Sequence, residues 1–198
     1  MSELLFNLHR KYDSIKVRKK YPYSHVYTQK IYPSLLDPRR NDPLTVLEIG
    51  IAYGGALQAM RDYLPNATII GFDKEIAQLL IESYTRIQIM QGSQDDPVKL
   101  KELIKLYGPF DLVIDDACHQ FEPQLVTFNT LWPHVKSGGL YIIEDVMTLR
   151  GKRGNSSNKI FHYIKDHILT ETEFAAKHHN TDKACIRFYP TMIVLEKK

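Results

Sequence analysis

The sequence predicts an α/β protein with a mostly parallel sheet, helices on both faces and an antiparallel hairpin at the C-terminus. Three observations carry this. From residue 45 onward, short apolar runs alternate with segments of helical spacing, the pattern of βαβ units. Runs such as "DLVI" (111–114) and "LYIIE" (140–144) are almost continuously apolar, as strands covered on both faces must be. The last two runs, on either side of Tyr189-Pro190, are joined by too short a link for a parallel crossover and must form a hairpin.

The elements follow in order. "TVLEIG" (45–50) reads as a buried strand, and "GALQAMRDYL" (55–64) as a helix stopped by Pro65-Asn66. "ATIIGFD" (67–73) is a second strand, "KEIAQLLIESY" (74–84) has helical spacing, and "IQIMQG" (87–92) is a third strand. A helix over 97–108 ends at Gly108-Pro109, before a fourth strand, "FDLVID" (110–115). The segment 123–135 is helical with a kink near Pro133, and "SGG" leads into a fifth strand, "LYIIED" (140–145). A helix over 158–169 precedes the closing hairpin.

With 198 residues the chain is expected to form one domain, 1–198. Its first 44 residues, rich in tyrosine and positive charge, would be a lid or substrate segment on a core from 45 to 198. A net charge of +3 is too small to point to nucleic acid by itself. Two cysteines, Cys118 and Cys185, make no disulfide framework or zinc spacing, so a reducing, cytoplasmic setting is expected. The charged N-terminus is a poor signal peptide, and no run approaches bilayer length. A homo-oligomer is left open.

Two groups of residues carry chemistry. The first is the turn in "LEIGIAYGGAL" (47–57). Glycine there brings backbone N–H groups close to a ligand. Ile51-Ala52-Tyr53 break the dinucleotide spacing, and no Walker Lys-Ser/Thr follows. Asp73 ends the next strand, where an acid accepts hydrogen bonds from ribose hydroxyls. Together Glu48, Gly50, Gly54, Gly55 and Asp73 suggest an adenosine-type ligand. The plainer alternative is a turn, with Asp73 as a cap.

The second group is acidic. Asp115-Asp116 and Glu144-Asp145 end what read as consecutive strands. Parallel neighbours lie about 4.8 Å apart, so their terminal carboxylates would converge. Clustered carboxylates repel unless a cation joins them, and oxygen ligands suit Mg²⁺, Mn²⁺ or Ca²⁺. His119, three residues after Asp116, is placed to act as a neutral base on an alcohol whose pKa a cation lowers. Ordinary capping and ion pairing remain the alternative for each acid taken alone.

The motifs "HVYTQKIYPSLL", "VLEIGIAYGGALQAMRDYLPNATIIGFD", "FDLVIDDACHQFEPQLVTFNTLWPHVKSGGLYIIEDV" and "IRFYPTMIVLEKK" resemble the class I S-adenosylmethionine-dependent methyltransferases. The likeness is strongest to the metal-dependent sugar O-methyltransferases of macrolide tailoring and rhamnosyl O-methylation. That resemblance implies a Rossmann-like core, S-adenosyl-L-methionine and Mg²⁺ (or Mn²⁺) as cofactors, and a small-molecule or glycan sugar acceptor such as rhamnose. It implies Asp116, Glu144 and Asp145 as metal ligands and His119, with Asp116, as the catalytic residues. It places Glu48, Gly50, Tyr53, Gly54, Asp73, Gly92, Ser93 and Asp115 on the cofactor. The chain departs from the family at Ala117-Cys118, at "QGSQDD" after the third strand, and at "VRKKYPYSH", where an N-terminal Thr-Asp-Lys motif is missing.

Two segments are candidates to cover the site: Tyr21, Tyr23, His25, Tyr27 and Tyr32, and the loop 147–158 with Arg150, Lys152 and Arg153. A catechol or other diol is the rival acceptor. An RNA-binding protein or RNA methyltransferase, suggested by the basic and aromatic residues of "KVRKKYPYSHVYTQK", is a more distant rival.

Overall fold

The computed structural model describes residues 3–18, 25–146, 154–169, 178–180, 183–189 and 191–198. Tyr21, Tyr23, Arg150, Lys152, Arg153 and Pro190 lie outside the described residues. The chain divides into two compact units, Met1–Gln91 and Gly92–Lys198.

The first unit opens with helix α1 (Leu4–Lys11), a 3-10 turn (Ile15–Val17), a π-helical turn (Tyr27–Ile31) and helix α2 (Tyr32–Leu36). Strand β1 (Thr45–Ile49), helix α3 (Gly55–Tyr63), strand β2 (Thr68–Asp73) and strand β3 (Ile87–Gln91) follow. These strands pair in parallel, with β2 in the middle. Leu57 of α3 reaches β2 at Gly71, where a Cβ would stand 2.7 Å from its Cδ1. Glycine in this strand therefore allows close helix–strand packing.

Helix α1 packs on α3. Leu5 and His9 are buried there, and burial, helped by Lys16, pushes the His9 imidazole down to about 3, so it sits neutral. Among the described residues before β1, Leu5, His9, Ile31 and Leu36 thus belong to the core. Tyr27 and Tyr32 are fully buried, which removes them from the candidate lid. His25 Nε2 lies 2.9 Å from the Val17 carbonyl oxygen, and its ring meets Phe6 edge-on.

Residues 74–84 correct the sequence reading, because no helix forms there. The backbone groups a helix would use are engaged elsewhere. Leu80 N–H donates to the Tyr53 carbonyl (2.9 Å) and Glu82 N–H to Gln58 Oε1 (2.8 Å). Gln58 Nε2 and Arg61 Nη1 donate to the carbonyls of Leu80 (2.9 Å) and Ser83 (2.7 Å). Alternate side chains, Leu79 and Ile81, lie against Gly54 while Leu80 points outward, the two-residue period of extended chain.

The second unit contains helix α4 (Pro97–Tyr107), strand β4 (Phe110–Asp115), helix α5 (Phe121–Leu131), strand β5 (Val135–Glu144), helix α6 (Gly154–Ile168) and strands β6 (His178–Asn180), β7 (Ala184–Tyr189) and β8 (Met192–Lys197). Their order is β4-β5-β8-β7-β6. Strands β4 and β5 are parallel, and the rest are antiparallel, as the closing hairpin requires. Asp96 caps α4 by accepting from Val98 and Lys99 N–H, with Pro97 at the first helical position. The kink near Pro133 is a 3-10 turn, Trp132–His134. Strand β5 starts five residues earlier than "LYIIED" suggests. Val135 already pairs with Phe110, and the glycine-containing stretch between Val135 and Leu140 is absorbed as a register shift.

Candidate metal and methyl-transfer site

Asp115 is the last residue of β4 and Asp116 follows directly after it. Asp115 is fully buried. Its Oδ1 lies 3.2 Å from Gln94 Nε2. Burial, with Asp116 next to it, pushes the Asp115 carboxyl up to about 7, although the Ala117 N–H and Gln94 oppose the shift. Tyr141 faces Asp115 without hydrogen-bond geometry, and burial raises that phenol well above its ordinary range. Asp116 is half-buried and its Oδ1 faces His119. The doubled acid therefore splits into a fully buried carboxyl and a half-buried one that a ligand can reach.

One Asp116 oxygen, a ring nitrogen of His119 and one Asp145 oxygen all lie within 4.8 Å of one another. His119 Nε2 stands 4.0 Å from Asp116 Oδ1 and 3.9 Å from Asp145 Oδ2. Donors sharing an octahedral cation at about 2.1 Å would be separated by about 3.0 to 4.2 Å. The two His119–carboxylate separations fall in that range, and the two half-buried carboxylates beside the ring offer oxygen ligands to a hard divalent cation.

Five described non-glycine residues adopt positive φ, and two of them are His119 (54°) and Asp145 (53°). A third, Ala52 (47°), lies in the glycine loop. Such backbone costs about 1–3 kcal/mol per residue and persists where surrounding structure imposes it. Glu144 is not in the group of three. It ends β5 fully buried, in register with Met192.

In the first unit, Gly50 and Gly54 both have left-handed φ (85° and 83°), which the turn after β1 requires. Asp73 holds that turn: Oδ2 accepts from Ile51 N–H (2.8 Å) and Oδ1 from Glu75 N–H (3.0 Å). Asp73 thus ties down the turn after β1 and the chain just beyond β2, while the helix 74–84 that the plainer reading had it cap does not form. Glu48 is buried and paired with Lys16 at 3.3 Å. Tyr53 is exposed, with the Arg18 guanidinium 5.8 Å above its ring. In the second unit, Gly92 is half-buried and the Ser93 hydroxyl donates to Asp95 (2.5 Å). Lys16 and Gln94 were missed in the sequence. Both are polar groups buried through tertiary contacts, which periodicity does not reveal.

Asp73→Ala is expected to lower S-adenosylmethionine affinity about tenfold, the cost of about one charge-assisted hydrogen bond plus a loosened turn. Calorimetric titration reads this, and unchanged affinity would confine Asp73 to holding the turn.

No family model matches the chain. In solved structures, 98% of the chain superposes on the MycE methyltransferase bound to Mg, SAH and mycinamycin VI, with TM-score 0.77 and 28% identity, covering 53% of that chain. The fold is that of the class I methyltransferases. In sequence, the chain is 42% identical over 116 residues to the 8-demethyl-8-(2-methoxy-alpha-L-rhamnosyl)-tetracenomycin-C 3'-O-methyltransferase of Streptomyces olivaceus, covering 55% of this chain and 29% of the relative. It is 35% identical over 139 residues to the mycinamicin VI 2''-O-methyltransferase of Micromonospora griseorubida, covering 65% and 33%. The chain is a homologue of the sugar O-methyltransferases of the macrolide and tetracenomycin pathways. It spans about a third of the curated relatives it matches. No helix among the described residues is long and apolar enough to cross a membrane.

Proposed function

We propose that this chain works as one methyltransferase domain that methylates a sugar hydroxyl, using S-adenosyl-L-methionine and Mg²⁺, or Mn²⁺ in its place. The acceptor class is a 6-deoxyhexose such as rhamnose. The observation that carries the proposal is the convergence of Asp116, His119 and Asp145 in a chain homologous to rhamnosyl O-methyltransferases. When bound, the cofactor would supply a methyl group on a sulfonium, with sulfur keeping the carbon–sulfur electron pair, and the cation would make a nearby acceptor hydroxyl more acidic.

The chain's own residues do the rest. Asp116 and Asp145 hold the dication, and we assign the neighbouring Glu144 as the third carboxylate. His119 takes the hydroxyl proton at Nε2, the nitrogen that faces both carboxylates. Gly50, Tyr53 and Gly54 present the turn after β1 to the cofactor, Asp73 binds its ribose, and Glu48 lies beneath. We assign Gly92 and Ser93 to the adenine and Asp115 to the neighbourhood of the sulfonium end. We place the chain in a reducing, cytoplasmic setting.

The test is transfer of labelled methyl groups to a panel of rhamnosides, other deoxyhexosides and catechols at fixed Mg²⁺. Label on a sugar is expected. Label on catechols alone would keep the site and replace the acceptor.

A further inference from the structure

We infer that Gln94 is a positioning residue that fixes the loop carrying Asp116 and His119 in its metal-binding shape. This rests on the proposed metal site.

Gln94 is buried just beyond β3, and both ends of its amide are used. Oε1 accepts from Cys118 N–H at 2.9 Å. Nε2 donates to Asp115 Oδ1 at 3.2 Å and to Thr127 Oγ1 at 3.1 Å. Only one orientation of the amide is compatible with these partners, because the Cys118 N–H can only donate and so must face the amide oxygen. The Thr127 hydroxyl, on α5, lies 3.0 Å from the Gln94 carbonyl and 2.9 Å from the Pro123 carbonyl. One side chain therefore ties residue 115 to residue 118, the two positions that bracket Asp116 and Ala117. His119 follows directly and carries a left-handed φ of 54°.

That φ has to be imposed from outside, and the anchored Cys118 N–H is the contact next to it. An apolar residue at 94 would strand the Cys118 N–H and remove a donor from the buried Asp115. The loop would relax, and the Asp116 and His119 donors would drift apart. Groups that hold ligands from behind typically change metal affinity by about 10–100-fold when removed.

The experiment measures Mn²⁺ affinity of the full chain by electron paramagnetic resonance. It compares the wild type with Asp116→Ala, Gln94→Met and Thr127→Val, each with its urea unfolding midpoint. Gln94→Met is expected to bind Mn²⁺ at least about tenfold more weakly, and Thr127→Val to shift affinity less in the same direction. Excess Mg²⁺ should restore methyl transfer in Gln94→Met, which a merely structural defect would not allow. If Gln94→Met does not fold, the Thr127→Val affinity decides. Wild-type affinity in a folded Gln94→Met, or in Thr127→Val in that case, overturns the inference while leaving the metal site standing. A wild type that binds no Mn²⁺, or binds it as well without Asp116, overturns the metal site and this inference together.

Discussion

Asp116→Ala is expected to leave a folded protein that binds S-adenosylmethionine but transfers methyl groups at least about 10³-fold more slowly. Asp116 is half-buried at the end of β4, and its oxygen points at the ring of His119 rather than into the core. Its removal costs the cluster one of its two nearby carboxylates and little packing. Asp115 should behave differently. It is fully buried, joined to Gln94, and its loss would strand polar groups inside the second unit. The comparison is made by single-turnover methyl transfer alongside calorimetric cofactor binding. Near-normal transfer by Asp116→Ala would remove the cluster from the mechanism.

His119→Ala is the second large effect. Loss of a general base lowers turnover by about 10²–10⁴-fold. Alanine and histidine both carry a Cβ, so the substitution changes the backbone strain at 119 little and the fold should be kept. Mg²⁺ affinity should be preserved if His119 acts on the proton. A parallel fall in Mg²⁺ affinity and turnover would make His119 a ligand instead, which its 3.9 and 4.0 Å separations from the two carboxylates also permit. Wild-type turnover would sink both roles.

Much of this site is legible in the sequence because strand ends are. Runs such as "FDLVID" announce where a buried strand stops, and in α/β proteins ligands gather there. Asp116 and His119 follow from that rule, as does Asp145 at the end of β5. The glycines after β1 are equally plain, since the left-handed φ of Gly50 and Gly54 leaves glycine the least strained choice.

What escapes is decided by tertiary hydrogen bonds. "KEIAQLLIESY" has the spacing of a helix, but Gln58, Arg61 and the Tyr53 carbonyl capture its backbone. Gln58 looks like an ordinary surface residue of α3 and is almost wholly buried. Gln94 stands in a polar stretch where nothing marks which side chain turns inward. Glu144 shows the limit of adjacency: it neighbours Asp145 in sequence, and the structure buries one while half-exposing the other. Tyr27 and Tyr32 reverse the same error, because these two residues, set near a basic, polar segment, are core.

The most direct measurement is methyl transfer from labelled S-adenosylmethionine to a rhamnoside across a Mg²⁺ titration, with an EDTA-treated control. Transfer that vanishes in EDTA, returns with Mg²⁺ and stays absent in Asp116→Ala is the predicted result. Transfer that proceeds equally in EDTA would contradict the account, because the Asp116–His119–Asp145 cluster would then have no part in the chemistry.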